Sequence, residues 1–198
     1  MTLGPPALTL HFFRHPAARG AGGRCIGRTD LPVDPRRARR LARRLQDLAR
    51  REGLPRAVVT SPLARCAQVG QWLARWGFRH RIDEGLIEAD FGDWDGRPWS
   101  DIGEAAVDSW CADFAGHAPG GGESLRALAL RVAAWSPREE RLVVGHAGWI
   151  TMRRWLRERG PALPSAEQWP APLRCGAAWV EATPGPLPLR DAPLCGIT

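Results

Sequence analysis

Three short apolar runs in this chain each end in residues able to handle an anion. Leu8–Phe13 is followed by Arg14 and His15. Ala57–Thr60 is followed by Ser61-Pro62-Leu63-Ala64-Arg65, and Leu142–Val144 by Gly145-His146-Ala147-Gly148. If the runs are neighbouring strands, two histidines and two arginines converge at one edge of a sheet. Helix starts there add unpaired N–H groups and positive dipole ends. Forked guanidinium donors match phosphate oxygens, and an imidazole nitrogen can attack phosphorus. Surrounding cations favour the neutral imidazole that a nucleophile requires. The chemistry implied is phosphoryl transfer. Taken singly, each residue has an ordinary structural role, as a hydrogen-bonded strand end, a solvated arginine or a helix cap. Recurrence at three equivalent positions is what carries the reading.

The elements that must position these residues follow from periodicity. The three runs read as buried strands. Asp34-Pro35 opens a helix as N-cap and N1, with Ala38, Leu41, Ala42, Leu45, Leu48 and Ala49 on one face and Arg36 to Arg51 supplying the other. Ser61-Pro62 is predicted to cap a helix to about Trp76. Further helices are expected over Glu123–Trp135 and Ile150–Glu158, and a last strand over Ala177–Ala182. The segments Pro161–Pro172 and Pro184–Pro193 read as proline-rich loops. Alternating strands and helices imply an α/β fold, a three-layer sandwich whose mostly parallel central sheet is flanked by helices. Ligands of such sheets sit outside the carboxyl ends of the strands. No repeat or linker divides the chain, so residues 1–198 are expected to form a single domain.

Composition narrows the classes. At 198 residues, 44% hydrophobic and 25% charged, the chain is neither disordered nor collagen-like. Its formal charge is +7, and all 28 basic residues are Arg; Lys, Tyr and Asn are absent. The absent residues have AT-rich codons, so a GC-rich codon supply accounts for much of the arginine excess. A basic nucleic-acid-binding module built on Arg36–Arg51 is the competing class. It is disfavoured because no nucleic-acid motif is present and aromatics are not interleaved with that face. Five cysteines without a CxxC pair, and scattered histidines, speak against a disulfide framework or a zinc site. Met1–Leu10 has no basic n-region, and no run has the length of a membrane span. The expectation is a soluble, cytoplasmic monomer or homodimer acting on a small molecule, with no nucleic-acid or membrane partner.

Four segments in order resemble the histidine phosphatase superfamily, which also contains cofactor-dependent phosphoglycerate mutase. Phe13-Arg14-His15-Pro16 is similar to its Arg-His-Gly, with Pro in place of Gly, and Ser61-Pro62-Leu63-Ala64-Arg65 to its Ser-Pro-Leu-x-Arg. Leu86-Ile87-Glu88-Ala89-Asp90-Phe91-Gly92-Asp93-Trp94-Asp95-Gly96 is similar to Leu-x-Glu-x-x-x-Gly-x-Trp-Glu-Gly, and Val143–Gly148 to the second-histidine motif. The resemblance implies a phosphoglycerate mutase-like fold and a phosphomonoesterase that needs neither metal nor other cofactor. It makes His15 the nucleophile that becomes phosphohistidine, with Arg14, Arg65 and His146 holding the phosphoryl oxygens. Glu88 is then the general acid, with Asp90 as its nearby competitor. In the acid phosphatase branch an Asp directly after the second histidine takes that role, and Ala147 stands there instead.

Two further segments narrow the resemblance. Arg24-Cys25-Ile26-Gly27-Arg28-Thr29-Asp30 and Pro119-Gly120-Gly121-Gly122-Glu123-Ser124 are similar to stretches of alpha-ribazole phosphatases, which act in cobalamin nucleotide-loop assembly. Gly27, Arg28 and Ala147 become substrate-binding candidates, and alpha-ribazole 5'-phosphate the expected substrate. The alternatives are a phosphoglycerate mutase or a broad sugar or nucleotide phosphatase. A mutase needs extra structure shielding phosphohistidine from water, for which the chain has little room. Among ten tryptophans, Trp94 and Trp99 flank Glu88 and are the stacking candidates, while Trp72, Trp76, Trp110 and Trp155 are expected in the core.

Overall fold

The computed structural model describes residues 9–182 and 185–189, so Leu8 of the predicted first strand and both ends of the Pro184–Pro193 loop lie outside the described residues. Strands Leu10–Arg14 (β1), Ala57–Thr60 (β2), Arg79–Ile82 (β3), Leu142–Gly145 (β4) and Ala178–Glu181 (β5) form one sheet in the order β3-β2-β4-β1-β5. All pairings are parallel except β1 with β5. The three strands that carry the sequence clusters therefore lie side by side.

Side-chain alternation decides the layers. Phe12, Val59 and Val143 pack on one face against helices Leu125–Ala134 (α4) and Ala147–Arg159 (α5). Phe13, Val58 and Val144 face the other side, against Pro35–Glu52 (α1) and Ala64–Arg75 (α2). A strand buried on both faces reads as a near-continuous apolar run, which is how β2 and β4 look in sequence, while β1 is interrupted by the buried His11. Among the described residues no helix is long and apolar enough to cross a membrane.

The start of α1 is as expected: Asp34 Oδ1 accepts the Arg36 N–H at 2.8 Å, and Pro35 occupies N1. Its arginine face is exposed. Trp72 and Trp76, expected in the core, are half-buried at its edge beneath the guanidiniums of Arg39, Arg43 and Arg75. Three boundaries differ from expectation. The Ser61-Pro62 cap is replaced by Leu63, and the Ala64 N–H is taken by Asp30 Oδ1 at 2.7 Å. Helix α4 begins at Leu125, behind a Ser124 cap whose Oγ accepts the Ala127 N–H. Helix α5 starts directly after His146, about one turn earlier than Ile150.

Two elements have no counterpart among the expected ranges. β3 reads Arg-His-Arg-Ile and lies at the sheet edge, where one flank pairs and charged side chains stay partly solvated. Helix Glu104–Ala112 (α3) buries none of its residues fully and rests on a satellite cluster of Cys25, Trp94 and Ile102. Neither buries enough apolar surface to leave a periodic signal.

Candidate active site

His15 follows β1 at the carboxyl edge of the sheet. Its backbone N–H donates to Gly145 O at 3.0 Å, which ties it to the end of β4. Its Nδ1 lies 2.7 Å from Pro16 O. A carbonyl only accepts, so Nδ1 carries the proton and Nε2 keeps its lone pair. Proline in place of glycine removes one backbone N–H from the loop, while its carbonyl sets the tautomer of His15. Burial, followed by the charges of Arg65 and Arg14, pushes the imidazole from 6.5 down to about 3, against the opposing effect of the Pro16 bond. His15 is neutral near pH 7.

Arg65, in the first turn of α2, is 1% exposed and commits three of its five N–H donors to the protein. Its Nη1 and Nη2 donate to the carbonyls of Thr29 at 2.7 Å and Gly27 at 2.5 Å, and its Nε to His146 Nδ1 at 3.3 Å. Because that guanidinium can only donate, His146 holds its proton on Nε2 and donates it to Ser61 Oγ at 2.7 Å. Burial and the charges of Arg65, His15, Arg14 and Arg131 hold His146 well below the usual imidazole range. The rings of His15 and His146 stand 5.2 Å apart. Arg14 Nη1 donates to Leu173 O at 2.5 Å, yet its buried Nε has no partner. A buried guanidinium donor without an acceptor, beside two neutral imidazoles, marks a place for an anion.

The Gly27–Thr29 turn is held from two sides. Asp95 accepts from the N–H groups of Gly27 (3.0 Å), Arg28 (2.5 Å) and Thr29 (2.9 Å) and from Thr29 Oγ1 (2.8 Å). Arg65 holds the carbonyls of the same turn. Gly27 is required because a Cβ would overlap the Ala89 carbonyl, so its close approach is to the Glu88 loop. Arg28 is half-exposed and pairs with Asp90 at 3.0 Å.

Glu88 is 7% exposed and sits on the first turn of α5. Oε2 accepts the Gly148 N–H at 2.9 Å, and Oε1 those of Trp149 and Ala89, each at 3.0 Å. Ala147 opens the helix between His146 and Gly148, which joins Glu88 to the histidine pair. Asp90 is turned elsewhere, with Oδ1 accepting the Gly92 N–H at 2.8 Å. Arg131 donates to the carbonyls of Gly85, Ile87 and Glu88 and pairs with Glu123, and so fastens the acidic loop to α4.

His15, Arg14, Arg65 and His146 are thus brought into one cluster. Gly27 joins them through Arg65, and Ala147 links them to Glu88. Arg28 lies at the rim. Sequence reasoning missed Ser61, Asp95, Arg131 and Gly148. Arg131 leaves a signal in hindsight, as a charge within the apolar stretch LRALALRVAA. The tryptophan expectations also change: Trp94 is buried in the satellite cluster, and Trp99 is an exposed edge contact of Phe91. Trp110 is half-buried and lines a cleft beside Glu88. Among the described residues no group of three or more His, Cys, Asp or Glu side chains could hold a metal ion.

No curated protein matches the chain in sequence. Among solved structures, a mycobacterial glucosyl-3-phosphoglycerate phosphatase is similar at 26% identity and TM-score 0.66, over 87% of this chain and 88% of that one. The protein TTHB049 from Thermus thermophilus is similar at 27% identity and TM-score 0.64, over 90% and 96%. Alpha-ribazole phosphatase from Shigella flexneri shares the fold at TM-score 0.68 and 24% identity, over 91% and 96%. The model of the histidine phosphatase superfamily (branch 1) matches residues 10–171, and the chain belongs to that superfamily.

Proposed function

We propose that the protein is a phosphomonoesterase working through phosphohistidine at His15, with alpha-ribazole 5'-phosphate as its substrate. The observation that carries the reaction is the tautomer of His15: a neutral ring with Nδ1–H committed to Pro16 O and a lone pair on Nε2. In the first step Nε2 attacks phosphorus as the P–O bond to the leaving alcohol breaks, and Glu88 gives its proton to the departing oxygen. In the second, Glu88 takes a proton from water, whose oxygen attacks phosphorus. The P–N bond breaks and inorganic phosphate leaves. Arg14, through its partnerless Nε, and Arg65 stabilise the charge that builds on the equatorial oxygens. The mycobacterial neighbour has been solved with VO3 and with inorganic phosphate, in keeping with a phosphoryl site.

Support for the substrate is the Arg24–Asp30 segment, whose turn is held by Asp95 and Arg65 at the edge of the site. A second reading, a phosphatase of a phosphorylated glycerate, is favoured by 26% identity to the mycobacterial enzyme. The decisive experiment is labelling with phosphorus-labelled ester followed by quench. The label is expected to be acid-labile and base-stable, absent from His15→Ala and unaffected by EDTA. A label that survives His15→Ala overturns the nucleophile, and strict dependence on added metal overturns the mechanism. A panel of alpha-ribazole 5'-phosphate, nucleoside monophosphates and phosphoglycerates then ranks the substrates by kcat/KM.

A further inference from the structure

Beside Glu88 lies a cleft of about 290 Å³ whose walls include Ala89, Phe91, Trp110, Phe114, Gly148 and Trp169. Two of these residues belong to the surroundings of the carboxylate itself: Gly148 and Ala89 both donate N–H bonds to it. A general acid works within hydrogen-bond reach of the leaving oxygen. Whatever that oxygen carries therefore lies near Glu88, whose neighbours Ala89 and Gly148 are walls of the cleft.

The chemistry of the walls is selective. The chain has 28 arginines, and none lines this cleft. Its one charged wall residue, Glu123, has its oxygens bound by Arg131 at 2.9 and 2.7 Å. The Ser124 Oγ accepts the Ala127 N–H as the cap of α4. A second anionic group on the ester would find no counter-charge and would lose its hydration. The aromatic walls are meanwhile set in place by one another, with Phe114 tilted against Trp110 at 5.2 Å and edge-on to Trp169 at 5.9 Å. Preset aromatic faces favour a flat apolar partner.

We propose that this cleft is the leaving-group subsite, that it takes a neutral alcohol bearing an apolar ring, and that Trp110 and Trp169 set this preference. The inference rests on the phosphatase reading of His15 and sharpens it, because it separates ring-bearing esters from phosphorylated glycerates, which the phosphoryl site alone would treat alike.

The test compares ethyl phosphate, 2-phenylethyl phosphate and 3-phosphoglycerate. The first two differ only by a remote phenyl ring and have similar leaving alcohols. In the unaltered protein kcat/KM for 2-phenylethyl phosphate is expected to exceed that for ethyl phosphate by about tenfold or more. It should also exceed that for 3-phosphoglycerate. Trp169→Ala, which removes a wall, and Ala166→Phe, which fills the cleft, should each bring the phenylethyl-to-ethyl ratio toward one. Trp72→Ala, on the α1–α2 side, should leave the ratio where it was. A ratio near one in the unaltered protein, or one that neither cleft variant moves, overturns the inference. If no ester is hydrolysed, the phosphatase reading falls, and calorimetry then judges the cleft. Tighter binding of 2-phenylethyl than of ethyl phosphate to the unaltered protein supports it, and equal binding overturns it.

Discussion

The carboxylate of Glu88 lies directly over the Cα of Gly148. The Gly148 N–H donates to Oε2 at 2.9 Å, and a Cβ at residue 148 would stand 2.8 Å from Oε1. The missing side chain of one residue is thus the space in which the proposed general acid sits.

Gly148→Ala should lower activity by displacing Glu88. Residue 148 lies in the first turn of α5 with ordinary helical backbone, and alanine is the better helix former by up to about 1 kcal/mol. The melting temperature should nevertheless fall, because displacing buried Glu88 from its three N–H donors outweighs that gain. Glu88 must move, and hydrolysis of alkyl phosphates should fall about 10- to 100-fold. Full activity in this variant would place the acid elsewhere.

Glu88→Gln keeps the shape but removes the transferable proton. Esters with poor leaving groups should slow by about 10²- to 10⁴-fold, whereas 4-nitrophenyl phosphate, which needs little protonation, should slow far less. Steady-state comparison of the two substrates checks this. Equal losses on both would transfer the role to Asp90.

Acid should weaken the fold through the histidine pair. The folded-state value of His15 is about 3 against 6.5 when unfolded, and His146 is lowered in the same sense. Unfolding therefore takes up protons between these values. The stabilisation is complete above about pH 6.5 and is lost as pH falls toward 3, by up to about 1.4 kcal/mol per pH unit for each histidine. Urea midpoints measured from about pH 7 to about pH 4 should show a shallower decline in His15→Gln, and identical slopes would contradict the shift.

Asp95→Ala should release the Gly27–Thr29 turn, since Asp95 holds three of its N–H groups and one hydroxyl. Arg65 would lose the rigid carbonyls that aim it. A stability loss of about 2–4 kcal/mol by urea titration is expected, with kcat/KM reduced. Asp95→Asn, which keeps acceptor oxygen, should recover part of both.

Much of the site was legible because local rules and chemistry coincided. A strand buried on both faces must be an apolar run, and the residues just beyond its carboxyl end must be those of the ligand edge, so Arg14, His15, Arg65 and His146 could be named from their places after such runs. Strand order was not legible, since nothing local to β1, β2 or β4 specifies that they are neighbours. Packing of α1 and α2 on one face and α4 and α5 on the other decided that. The edge strand β3 and helix α3 were hidden because half-solvated elements need no apolar period. The hydrogen-bonding roles of Ser61, Asp95 and Gly148 were equally silent, and Arg131 showed only as a charge within an apolar stretch. Each acts across dozens of residues of chain, and a carboxylate that clamps a turn looks in sequence like any solvated acid. The residue types able to handle phosphate were written in the one-dimensional order; which proton sits on which nitrogen, and what surrounds Glu88, were decided by tertiary contacts between segments far apart in that order.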